Sequence, residues 1–172
     1  MNNSSNIRDE FPLLKKGIIY LDSAATSLKP TCVIDGLTEY YITTGVNVGR
    51  GSNKFSFDST NRIEKTRSRI ANFIGARENS IVFTSNSTES INMVCFSYIK
   101  KLCKKVSNIV ISTIEHHSNY APWVVLANEL NIVCRIVDYD DIIDNIDSNT
   151  IITAFSGMSN ITGEVFNIKK II

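Results

Sequence analysis

Asn108-Ile109-Val110-Ile111-Ser112-Thr113-Ile114-Glu115-His116-His117-Ser118-Asn119 is the stretch whose reading decides the fold class. Its first part is a short, mostly β-branched apolar run, which suits a strand buried on both faces. It then turns polar, and a helical pattern opens at Asn119. Strand, polar turn and helix in that order make the first half of a βαβ unit. Working outward, residues 119–131 read as that helix and 132–137 as the next strand. Residues 140–146 read as one or two helical turns, and 150–155 as a further strand. On the other side, 81–84 is another β-branched run and 88–105 another helix. Short apolar strands alternating with helices predict an α/β domain with a mainly parallel sheet and flanking helices.

The leading part of the chain is helical in pattern. Residues 31–44 place Val33, Leu37, Tyr40 and Tyr41 near one face, with Pro30 suited to the start. Residues 58–74 carry Ile63, Ile70, Phe73 and Ile74 on one side and charged residues elsewhere, and Gly75 suits a C-cap. At the far end, Val165, Ile168, Ile171 and Ile172 predict the opening of one more amphipathic helix. An α/β sheet needs such a helix, and a strand after it, to cover its last strand. The pattern therefore leads to the expectation of an incomplete domain: a fragment, a split gene product or a truncated reading frame.

Composition bounds the function. The 172 residues are 43% hydrophobic and 20% charged with a net charge of +1, which fits a globular domain and asks for neither nucleic acid nor an anionic membrane. Lys100, Lys101, Lys104 and Lys105 fall where a helix ends, a placement its dipole favours. The polar N-terminus has no signal-peptide core, and no run approaches the ~18 apolar residues of a membrane span, so a cytoplasmic location is expected. Cys32, Cys95, Cys103 and Cys134 show no CxxC spacing. They are expected to be free thiols, mainly buried.

Four constellations could carry chemistry. Residues 84–89 (Thr-Ser-Asn-Ser-Thr-Glu) put hydroxyls beside the free N–H groups of a first helical turn, a ready site for a phosphate. The plainer reading is an ordinary cap, Ser87 with Ser90 or Asn86 with Glu89. Residues 115–119 hold both histidines of the chain, at a strand's C-terminal end, where α/β proteins place their sites. An imidazole there could stack on an aromatic ligand or move a proton. Adjacent histidines make a poor metal pair and no partner stands at zinc spacing, so no metal is expected. Ser159-Asn160-Ile161-Thr162-Gly163 could offer an amide to a ligand oxygen, or could be a simple turn. Arg50, between two glycines, could bind a carboxylate or phosphate, or belong to a plain loop.

The order of these motifs is similar to that of a known family. Residues 20–26 (Tyr-Leu-Asp-Ser-Ala-Ala-Thr), 48–51 (Val-Gly-Arg-Gly), 83–92, 115–119 with Pro122-Trp123, and 159–163 resemble the SufS-like cysteine desulfurases and their class V aminotransferase relatives. The likeness runs from about residue 8 to the end. It implies the large domain of a fold-type I, pyridoxal-phosphate (PLP) transferase, incomplete here, with residues 1–15 as an arm and 16–172 as its N-terminal part. It implies that Ser87 and Thr88 bind the PLP phosphate. His116 would stack on the pyridine ring and assist proton transfer, and Asn160 would hydrogen-bond the phenolic oxygen. Ala24, Ala25 and Arg50 would lie near substrate. The intact family converts L-cysteine to L-alanine, leaves sulfur on an enzyme cysteine, and works as a homodimer.

Some positions depart from the pattern. The family usually has Arg-Gly-Thr-Thr-Glu where this chain has Ser85-Asn86-Ser87-Thr88-Glu89, so the hydroxyl pair survives in altered form. Histidines common in the group are replaced by Gly49, Asn53 and Gly157. None of the lysines stands in a Ser-x-His-Lys segment, so the Schiff-base lysine is missing from these residues, as are the pyridinium-pairing Asp and the loop cysteine. The chain alone is thus expected to be inactive. It would await a separate C-terminal half, or be a remnant or binding module that no longer uses PLP.

Overall fold

The computed structural model describes residues 7–49 and 51–172, which form two compact units divided between Val82 and Phe83. In the first unit two short 3-10 turns, Ile7–Glu10 and Pro12–Lys16, precede α1 (Thr31–Thr43) and α2 (Lys54–Ile74). Pro30 caps α1, as its fixed φ allows. The start of α2 lies upstream of the expected one, because the Asn53 side chain accepts the Ser56 N–H and begins the helix there. Gly75 ends it in the left-handed conformation, φ 69°, where a Cβ would be strained. A 3-10 turn, Glu78–Ser80, closes the unit.

The second unit is α/β. Helix α3 (Ser87–Met93) runs on through a π-helical segment, Val94–Ile99, into α4 (Lys100–Leu102). β1 (Asn108–Ser112), α5 (Ala121–Leu130) and β2 (Val133–Val137) form the anticipated βαβ unit, and β3 (Thr150–Ala154) follows. The sheet order is β2-β1-β3, with both pairings parallel. Central β1 is buried along its whole length, as a strand covered on both faces must be. Ile109, Ile111, Cys95, Ile99, Trp123, Leu126 and Ala127 make the core beside it. At the strands' N-terminal ends Asp147 accepts from Asn108 Nδ2 (2.9 Å) and Arg135 Nη2 (2.7 Å), tying β1, β2 and the approach to β3 together. These bonds, Asn108 foremost, hold the Asp147 carboxyl down at about 2.

Three expectations are corrected. Residues 81–84 form no strand: β-branched side chains suit a strand, but a strand exists only when a neighbour pairs with it, and none does among the described residues. The chain end is no helix either. Val165 pairs in an antiparallel bridge with Met158, which leaves room for only one 3-10 turn, Ile168–Lys170. The segment at 140–146 forms two 3-10 turns, Tyr139–Asp141 and Ile143–Asn145. All four cysteines are free, yet only Cys95 is fully buried and Cys32 is exposed, because Cys32 lies in α1, where no residue is buried. Burial lifts the Cys95 thiol to about 11, so it is protonated and inert at neutral pH.

Candidate functional site

Ser87 and Thr88 open α3, and the local bonding explains what they have to spare. Asn86 is the N-cap: its Oδ1 accepts the Glu89 N–H at 2.9 Å. Glu89 reaches back and accepts the Ser85 N–H through Oε2 at 2.6 Å. This is the Asn86–Glu89 cap read in the sequence, and it pulls the Glu89 carboxyl below its usual range. Thr84 and Ser90 share a 2.6 Å hydroxyl contact. The hydroxyls of Ser87 and Thr88 therefore take no part in closing the helix. They stay exposed beside first-turn N–H groups that no α-helix can satisfy internally.

His116 stands after β1 and caps the 3-10 turn His117–Asn119. Its Nδ1 accepts the Ser118 N–H at 3.1 Å and lies 2.8 Å from Ser118 Oγ. An accepting nitrogen carries no proton, so in the neutral ring the proton sits on Nε2. His117 and Ser118 border a groove with Thr88, Asn92, Phe96, Ala121, Pro122 and Val125. The structure thus brings Thr88 to the histidine loop, with His117 and not His116 on that groove's wall.

Asn160 is exposed in a tight turn beyond β3. Buried Ser159 builds the turn: its Oγ accepts the N–H groups of Ile161 (3.3 Å) and Thr162 (3.2 Å), and its carbonyl accepts Gly163 N–H (2.9 Å). Gly163 has φ 74°. Ala24 and Ala25 lie in the first unit, in an exposed turn where Ala25 and Thr26 donate to the Asp22 carbonyl and Tyr20 Oη donates to the Thr26 carbonyl. Arg50 lies outside the described residues. No group of three metal-ligating side chains occurs among the described residues.

Glu115 and Asn119 stood inside the histidine motif with no role in binding Ser156, and Ser156 stood in no motif. Glu115 Oε1 accepts the Ser156 N–H at 2.6 Å. Its Oε2 accepts from Ser156 Oγ and Asn119 Nδ2, both at 2.7 Å. Asn119 Oδ1 in turn accepts the indole N–H of Trp123 at 3.1 Å. The spacing of Glu115, Asn119 and Trp123 at steps of four was a visible signal. Ser156, 41 residues from Glu115, was not.

The aminotransferase class-V family description matches residues 19–172. The chain belongs to the class V aminotransferase family. Cysteine desulfurase SufS of Plasmodium falciparum is 38% identical over 97% of this class V chain and 33% of its own length. A probable cysteine desulfurase of Borreliella burgdorferi is 37% identical over 96% of the chain and 43% of its own length. Among solved structures, the cysteine desulfurase CsdA of Escherichia coli superposes with a TM-score of 0.80 at 32% identity, covering 98% of this chain and 44% of CsdA. The class V chain therefore spans a third to under half the length of these relatives. Members of the family depend on PLP in general. Among the described residues, no helix is long and apolar enough to cross a membrane.

Proposed function

We propose that this class V chain supplies the phosphate, ring-face and phenolic-oxygen contacts of a PLP-dependent cysteine desulfurase. In this reading residues 16–172 belong to the large PLP-binding domain, with residues 1–15 as an arm. The substrate is L-cysteine, the working form a cytoplasmic homodimer. The observation that carries the proposal is the spare donor set at Ser87 and Thr88. Because Asn86 and Glu89 cap α3 between themselves, two hydroxyls and the adjacent N–H groups remain for a dianionic phosphate. That donor set fits PLP.

When bound, PLP supplies an electron sink for bonds at the amino acid's α-carbon. The chain's own residues bind and orient. Ser87 and Thr88 take the phosphate, and the exposed Asn160 amide takes the phenolic oxygen. His116 offers its ring face, and its Nε2 holds a proton for transfer. By the family resemblance, Ala24, Ala25 and Arg50 are the residues assigned to the amino acid. The Schiff-base lysine, the pyridinium-pairing Asp and the sulfur-accepting cysteine come from polypeptide other than these 172 residues.

Equilibrium dialysis against pyridoxine 5′-phosphate, which has no aldehyde and needs no lysine, tests the reading. Binding by the full chain should weaken at least roughly ten-fold in Ser87→Ala/Thr88→Ala, the cost of losing two hydrogen bonds to a charged group. Equal affinity of variant and wild type, or no binding at all, overturns it and favours a module that does not use PLP.

A further inference from the structure

The Glu115 carboxylate joins the exits of two strands. It stands three residues past β1, and its partner Ser156 stands two residues past β3. The direction of the bonds in the network is dictated by chemistry. An indole N–H can only donate, so Trp123 fixes which end of the Asn119 amide faces it. The other end, an NH₂, then faces Glu115. A backbone N–H, also only a donor, approaches the second oxygen from Ser156. Residue 115 must accept on both sides, which a carboxylate does and a glutamine does not.

We infer that Glu115 is a positioning residue, holding His116 on one exit loop in register with the turn that carries Asn160 on the other. The inference rests on the proposed cofactor reading for its purpose, and on the bonds alone for its existence. The first link is covalent: His116 is the next residue, and the loop whose Asn119 is pinned by Glu115 also holds Ser118, which fixes the His116 ring through Nδ1. The second link runs through Ser156 to Gly157, whose carbonyl accepts the Phe166 N–H at 2.9 Å and closes the segment carrying Asn160. Loss of the clamp frees both loops, and the histidine loses its single tautomer.

The network makes a sharp test possible, because its charge can be moved without breaking its contacts. In Glu115→Gln the new amide donor meets the Asn119 donor. In Asn119→Asp two carboxylates face each other. In the double variant Glu115→Gln/Asn119→Asp the introduced amide donates to the introduced carboxylate and to Ser156 Oγ. Its carbonyl still accepts the Ser156 N–H, and the carboxylate still accepts from Trp123. Every contact is restored with the charge shifted along the chain.

The experiment uses the full chain. ¹⁵N NMR of the two imidazoles, with His117→Gln for assignment, reads the His116 tautomer. Dialysis reads pyridoxine 5′-phosphate affinity, and Trp123, the sole tryptophan, reports folding by its emission. Each single variant should turn the single Nε2–H form into a tautomer mixture and weaken the ligand roughly ten-fold, about the worth of one charged hydrogen bond. The double variant should recover both. A single variant that keeps the wild-type tautomer, or a double variant no better than the singles or unfolded like them, overturns the inference. If the wild type binds no pyridoxine 5′-phosphate, the cofactor reading fails while the tautomer still decides the clamp.

Discussion

The two units of this chain are built on different terms. The second closes a core: Ile109, Ile111, Leu126 and Cys95 show no exposure, and Trp123 almost none. In the first, the buried residues of both long helices are Ser56, Ser59 and Ala71, among the described residues. Val33, Leu37, Tyr41 and Ile42 of α1 and Phe55, Phe57 and Phe73 of α2 are exposed. Unit one is held by caps and local bonds, such as Asn53 to Ser56 N–H and the pair of Arg62 with Glu39. Unit two is held by burial. Burial is worth kilocalories per side chain, whereas exposed ion pairs are worth a fraction of one. The residues proposed to hold a cofactor all lie in the unit with the buried core.

The largest expected effect lies in the core of the second unit. Leu126→Ala should cost about 3 kcal/mol, the usual penalty for a buried leucine. Leu37→Ala should cost less than about 0.5 kcal/mol, as surface changes do. Urea unfolding followed by Trp123 fluorescence measures both, and equal costs would abolish the distinction. Association comes next. Exposed apolar faces of this extent seek cover, so the chain should self-associate. Light scattering that shows a clean monomer would contradict that.

A smaller effect sharpens the account of unit two. The folded Asp147 carboxyl sits at about 2, below the ~4 of an unfolded aspartate. A depressed value stabilises the fold above pH ~4, and this contribution is lost as pH falls through about 2. Asp147→Asn should flatten that acid limb of the stability curve. An unchanged limb would mean that the Asn108 and Arg135 bonds do not outlast the competition from water.

Much of the fold was legible because periodicity reports burial. The run at 108–112 read as a doubly buried strand and is one; the βαβ order and Gly75 followed from equally local chemistry. The failures fall where local chemistry does not decide. The residues at 81–84 carry strand-type side chains, yet pairing is a property of neighbours. The last residues have helical spacing, but Val165 spends its backbone on Met158. At the site, the Asn86–Glu89 cap was readable, since both partners lie within four residues. The Glu115–Ser156 bond was not, because nothing local marks a partner that only the β1–β3 pairing brings near.

The most direct test of the central claim is a map of which backbone amides of the full chain shift when pyridoxine 5′-phosphate is added, followed by ¹⁵N NMR. The largest shifts are expected at Ser87, Thr88, His116 and Asn160, all in the second unit. Shifts confined to residues 7–82, or none, would contradict it.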